Sequence, residues 1–116
     1  MKKIPLKTVE MRLRSQTEDD KPIVLDYAET LLIVLDTPPR DGFSIAEMRK
    51  RLPITDKIET AQEAEAEHVL LEDAQHKTLA ALVRDHRFRL SHYAILEMID
   101  AVEGAPDVEV EAKDAD

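Results

Sequence analysis

The chain has 116 residues, 43% hydrophobic and 3% aromatic, with 16 Lys or Arg against 25 Asp or Glu for a net charge of −9. That length allows one domain with a modest core, burying about two-thirds of the unfolded surface. With no cysteine in the sequence, a disulfide framework, an iron–sulfur cluster, a thiolate zinc site and a cysteine nucleophile are excluded.

Residues 1–14 carry five basic residues against Glu10 alone, and the N-terminus lacks the apolar core of a signal peptide. Val9, Met11 and Leu13 alternate with Glu10, Arg12 and Arg14, the two-residue period of a half-buried strand. Ser15 to Pro22 is polar and turn-rich. Ile23 to Leu25 returns as a second short strand, so the pattern predicts a hairpin with an open loop. Two strands are marginal alone and must pack on helices.

A helix is expected from about Tyr27 to Asp36. Asp26 and Glu29 have capping-box spacing, and Leu25, Ala28, Leu31, Leu32 and Leu35 recur at helical intervals. The longest apolar run, Leu31 to Leu35, is far below the ~20 residues that span a bilayer. Thr37-Pro38-Pro39 ends this helix. Ser44-Ile45-Ala46-Glu47 is a second capping box. It opens a helix with Ile45, Met48 and Leu52 inward and Glu47, Arg49, Lys50 and Arg51 outward. Pro53 interrupts the pattern, which resumes at Thr55 with Ile58 and Ala61. Either one kinked helix or two short helices with a turn satisfies this.

Residues 55–73 hold seven acids against Lys57, and 62–67 reads as a solvated helix end or a loop. After the short apolar run Val69 to Leu71, Glu72 or Asp73 caps a helix reaching about Arg84, with Leu79, Leu82 and Val83 inward. Residues 84–89 form a small basic cluster. Ser91 caps a last helix with Ala94, Ile95, Met98, Ile99 and Val102 inward, stopped by Gly104 and Pro106. Residues 103–116 hold six acids against Lys113; without them 15 basic residues face 19 acidic, a charge of −4 for residues 1–102. From Ala105 on, the composition predicts disorder. The reading is therefore a mainly α (α+β) fold: a short N-terminal β-hairpin packed on about four helices over residues 1–104, and an acidic tail over 105–116.

The chemistry open to these residues is narrow. No two of His68, His76, His86 and His92 share the i, i+4 spacing that aims two imidazoles at one metal. His86, His92 and neighbouring Asp85 are better read as surface or helix-end residues. Asp19-Asp20-Lys21 lacks the ligand spacing and glycine of a calcium loop. No Ser sits in a Gly-x-Ser-x-Gly elbow, and Gly42 and Gly104 are too far apart for a phosphate cradle. No enzyme activity, cofactor or metal is expected.

Residues 44–66 look like a helix-turn-helix, in which Arg49, Lys50 and Arg51 would face phosphate. Against this, Asp56, Glu59, Glu63, Glu65 and Glu67 occupy the helix that would enter the groove, where duplex DNA carries one charge per ~1.7 Å. A DNA-binding regulator is therefore the alternative reading and a protein partner the preferred one. In Arg84-Asp85-His86-Arg87-Phe88-Arg89, an aromatic between arginines is the residue type enriched at interface hot spots, so Arg84, Arg87, Phe88 and Arg89 are the candidate binding residues. Phe43 is better read as a staple against Met48.

The order Lys21-Pro22-Ile23-Val24-Leu25-Asp26, Tyr27 to Leu35, Ser44 to Ile58, Val69-Leu70-Leu71-Glu72-Asp73 and Ile95 to Val102 resembles that of short accessory proteins of tailed bacteriophages and prophages. The likeness spans residues 9–102. It implies a protein without catalytic residues, acting in virion assembly or by binding a host protein. Such a protein would be cytoplasmic in the bacterial host or virion-associated, and possible as a homo-oligomer, with no membrane partner. A duplex binder would lose affinity steeply with salt and be blocked by Arg49→Glu plus Arg51→Glu; an adaptor would lose its partner on Phe88→Ala.

Overall fold

The computed structural model describes residues 1–109. In chain order the elements are β1 (Lys2–Pro5), β2 (Thr8–Met11), β3 (Ile23–Asp26), α1 (Tyr27–Asp36), α2 (Ile45–Glu63), β4 (His68–Leu71), α3 (Asp73–Asp85) and α4 (Tyr93–Glu103). The fold is mainly α with a small β component. The hairpin is β2 with β3, antiparallel, Val9 opposite Leu25 and Met11 opposite Ile23. Among the described residues, no helix is long and apolar enough to cross a membrane.

Residues 2–5 show too little alternation to announce a strand; tertiary pairing makes them one. β1 runs antiparallel to β4, with Ile4 opposite Val69. Its other edge is also occupied. Lys3 N–H donates to Pro106 O at 3.0 Å, Val108 N–H donates to Met1 O at 2.7 Å, and Lys2 bridges Asp107. Neighbouring amides of a strand point to opposite edges. Leu6 N–H faces β4, donating to Glu67 O at 2.8 Å, whereas Lys3 faces the 106–108 stretch. Pro5 shares the parity of Lys3, so its missing N–H removes no bond to β4. This stretch corrects the expected tail boundary at 105. Ala105 is buried in the core, and 106–108 are held by β1. The expectation of disorder for 110–116 lies outside the described residues.

The interior has two neighbouring clusters. Ile4, Leu31, Val34, Leu35, Ile54, Ile58, Val69, Leu71, Leu79, Val83 and Val102 form the larger. Met11, Leu25, Tyr27, Ala94, Ile95 and Met98 form the smaller, between the hairpin and α4. Ile99 packs against both, so α4 spans the boundary.

Capping follows the sequence closely. The Asp26 side chain accepts from Glu29 N–H, and Ser44 Oγ accepts from Glu47 N–H at 3.1 Å. Glu72 and Gln75 close a reciprocal box on α3. At α4 the cap is His92, one residue after the expected Ser91, its Nδ1 accepting from Ala94 N–H at 3.0 Å. Gly42, at φ +86°, turns the loop between α1 and α2.

Of the two readings of α2, the single helix is the one found: 19 residues running through Pro53, whose ring lies in solvent. The largest correction concerns its rotation, which is opposite to expectation. Ile54 and Ile58 are wholly buried and Arg51 is only 6% exposed, whereas Ile45, Met48 and Leu52 are 68%, 43% and 56% exposed. Glu47, Arg51, Ile54, Ile58 and Ala61 form the inward stripe. The two isoleucines after Pro53 set this phase, because an uninterrupted helix must carry it back to Ser44.

Proline at position 53 removes the amide that would bond the Arg49 carbonyl. Pro53→Ala is therefore expected to raise the unfolding free energy by about 1–3 kcal/mol in urea titrations; two helices joined by a turn would show no gain. A second expectation concerns Asp107. Its hydrogen bond from the N-terminal ammonium at 3.2 Å, with Lys2 adding to it, holds this carboxyl below its ordinary value. A depressed folded-state value stabilises above the unfolded carboxylate range and is lost as pH falls through the folded one. Asp107→Asn should lower Tm slightly at neutral pH, with the difference from wild type closing in acid.

Candidate functional site

The turned-out face of α2 does not stand alone. Beside it, α1 presents Leu32 and the 54%-exposed Ile33. Between the two helices lies a groove of about 520 Å³ with an apolar lining that includes Leu32, Ile33, Phe43, Met48 and Leu52. Glu29, Asp36 and Glu59 also line it. Large apolar side chains left in water on adjoining helices are characteristic of docking surfaces.

Arg51 joins the groove's two walls. Its Nε donates to Glu47 Oε2 at 3.0 Å, one turn earlier on α2. One Nη donates to Leu35 O at 3.2 Å and to Thr37 O at 2.9 Å, the carbonyls that end α1. The guanidinium lies 5.0 Å from the Phe43 ring centroid, a cation–π contact. α1 has no basic residue in its last turn and no glycine at its C-cap, so Arg51 supplies the positive charge and donors from outside the helix.

This arrangement corrects the helix-turn-helix geometry expected for residues 44–66. A helix-turn-helix over 44–66 needs two helices crossing at a turn, whereas Ile45–Glu63 is one helix. Arg49 and Lys50 are exposed, but Arg51 is buried and bonded to Glu47 and to the Leu35 and Thr37 carbonyls, so the three do not share a phosphate-facing surface.

The four residues expected to bind protein lie at the end of α3 and in the loop after it. Arg84 is 3.5 Å from Glu103 and so is engaged with α4. Arg87 and Arg89 are exposed. Phe88 is half-buried, packs on the smaller cluster and meets His86 edge-on at 4.7 Å between centroids. It also lines a second depression of about 860 Å³ with Arg12, Arg14 and Leu90, bordered by Tyr93 and Leu96, which are 82% and 55% exposed. Phe88 is thus partly a wall of the fold, and Tyr93 is the cleaner probe of this face.

The histidines have separate occupations. Besides His92 at its cap and His86 on Phe88, His76 donates from Nε2 to Val102 O at 2.6 Å, and His68 is exposed at the start of β4. Among the described residues no three His, Asp or Glu side chains converge on a metal position. Burial, with Glu97 nearby, raises the pKa of the Tyr27 hydroxyl.

The groove residues are the ones sequence reasoning misplaced. The signal was present in two interleaved stripes on α2, 45/48/52/55/59 and 47/51/54/58/61. Only the second is core, and it contains an arginine, which pattern-reading places outside. Compared with known proteins, the chain matches no family model, no curated protein and no solved structure.

Truncating Arg51 would leave two α1 carbonyls without donors and Glu47 without its partner. Arg51→Ala is expected to cost about 2–3 kcal/mol of stability in urea unfolding. Arg51→Lys should recover only part of it, since an ammonium cannot reproduce the guanidinium fork.

Proposed function

We propose that this chain is a non-enzymatic protein-binding module and that the α1–α2 groove is its principal docking face. One observation carries the reading. Of the seven large hydrophobic side chains exposed among the described residues, four (Ile33, Ile45, Met48 and Leu52) lie on the α1–α2 face. Exposure there is built in, because Arg51, Ile54 and Ile58 fix the rotation of α2. No inward relaxation of that helix covers Met48 and Leu52 without expelling the buried isoleucines.

The element order, which in the sequence resembles that of short phage accessory proteins, points to a setting in virion assembly or host-protein binding. The proposed location is accordingly the bacterial cytoplasm or the virion. The depression around Phe88, Tyr93 and Leu96 is a second face of the same kind, wider but with two exposed apolar side chains instead of four, and Arg87 and Arg89 adjoin Phe88 in the chain.

Affinity capture from bacterial lysate separates the faces. The wild type should retain a specific partner, Leu52→Asp should lose it, and Tyr93→Ala should keep it. Both substituted residues are exposed, so circular dichroism should show an unchanged fold. Failure of the wild type to retain any partner above a scrambled control would overturn the binding reading.

A further inference from the structure

We infer that the α1–α2 groove receives an amphipathic helix whose apolar stripe is flanked by Lys or Arg. This rests on the protein-binding reading above and specifies the partner's chemistry. Shape gives the first half of the argument. Ile45, Met48, Leu52, Thr55 and Glu59 step along α2 by three and four residues, the seam spacing of packed helices. Glu29, Leu32, Ile33 and Asp36 repeat that spacing along α1. Two helices that share a valley in this way accept a third laid along it, the helix-in-groove mode of recognition. At 1.5 Å per residue, the stripe from Ile45 to Glu59 is about 21 Å long, or roughly four turns of a partner helix.

Charge gives the second half. Glu29, Asp36 and Glu59 line the groove, and among the described residues none of them enters an ion pair. Glu29 receives only a 3.4 Å hydrogen bond from Gln62. The cation in the lining, Arg51, is already committed to Glu47 and two carbonyls. The groove therefore offers three uncompensated carboxylates beside an apolar lining. A helix with flanking Lys or Arg gains attraction along its length, and one with flanking Glu is repelled. The same carboxylates disfavour two other occupants. A second copy docked through this face would set its own Glu29, Asp36 and Glu59 against these, since a two-fold interface uses one patch twice. An anionic lipid surface would meet like charge.

The test uses the intact chain and two fluorescent synthetic helices of about 18 residues. They share one leucine stripe and differ only in Lys or Glu flanks. Anisotropy titration should show the Lys-flanked helix binding at least about tenfold tighter, with the preference shrinking as salt rises. Leu52→Asp and Ile33→Asp should each abolish binding. Combined Glu29→Lys, Asp36→Lys and Glu59→Lys should reverse the preference. Equal affinity for both helices, or binding by neither, would overturn the inference. So would equal binding of a Lys-matched peptide with its stripe scrambled, which would reduce the contact to net charge. A concentration-dependent dimer abolished by Leu52→Asp would make a second copy the occupant. A lysate partner lost on Tyr93→Ala but kept by Leu52→Asp would sink this inference and leave the protein-binding reading standing. No lysate partner at all would sink that reading.

Discussion

Arg51 reaches from α2 to the carbonyls that end α1, and the outer face of both helices follows from that contact. A helix closing on Thr37-Pro38-Pro39 cannot use a glycine cap, so its last carbonyls need donors from elsewhere. Thr37 serves two of them, its Oγ1 donating to Ile33 O at 2.7 Å and its N–H to Val34 O at 3.4 Å. Leu35 and Thr37 are left to Arg51. To reach them Arg51 must point inward, and an inward Arg51 turns Met48 and Leu52 to water. The ending of one helix, together with the burial of Ile54 and Ile58, thus settles which side of the next is exposed.

That coupling explains what the sequence disclosed and what it hid. The β2–β3 hairpin, the bounds of α1, the Ser44 cap and the Gly104 stop were legible because each depends on a few adjacent residues. The rotation of α2 was not. Its stripe of Ile45, Met48 and Leu52 satisfies the rule for a buried face as well as Ile54 and Ile58 do, and Pro53 hides their continuity. Choosing between them requires knowing that carbonyls await an arginine from 14 and 16 residues earlier in the chain. The candidate site was hidden for the same reason, being the face that pattern-reading assigns to the interior.

Strand β1 was hidden differently. Lys2-Lys3-Ile4-Pro5 carries one apolar residue, yet Ile4 is wholly buried in the larger cluster. Its conformation is imposed by partners at residues 68–71 and 106–108, which no local window contains. The acidic composition of residues 103–116 misled for a related reason. Charge predicts solvation of side chains, but the backbone of 106–108 pairs regardless, while Asp107 turns its carboxylate to the N-terminal ammonium.

The place of β1 between two such distant stretches has a kinetic side. Met1 and Asp107 meet across 106 positions of chain, so this closure ranks among the costliest in loop entropy and follows the formation of local helices. On the ribosome the order is stricter. Residues 2–5 emerge before every stretch they pair with, at about 5–20 residues per second for the chain as a whole. They wait through the synthesis of all four helices before the second edge of their strand can be filled. During that interval Ile4 has no finished pocket, and the two lysines that precede it, Lys2 and Lys3, keep the waiting strand charged and poorly suited to pairing with another chain.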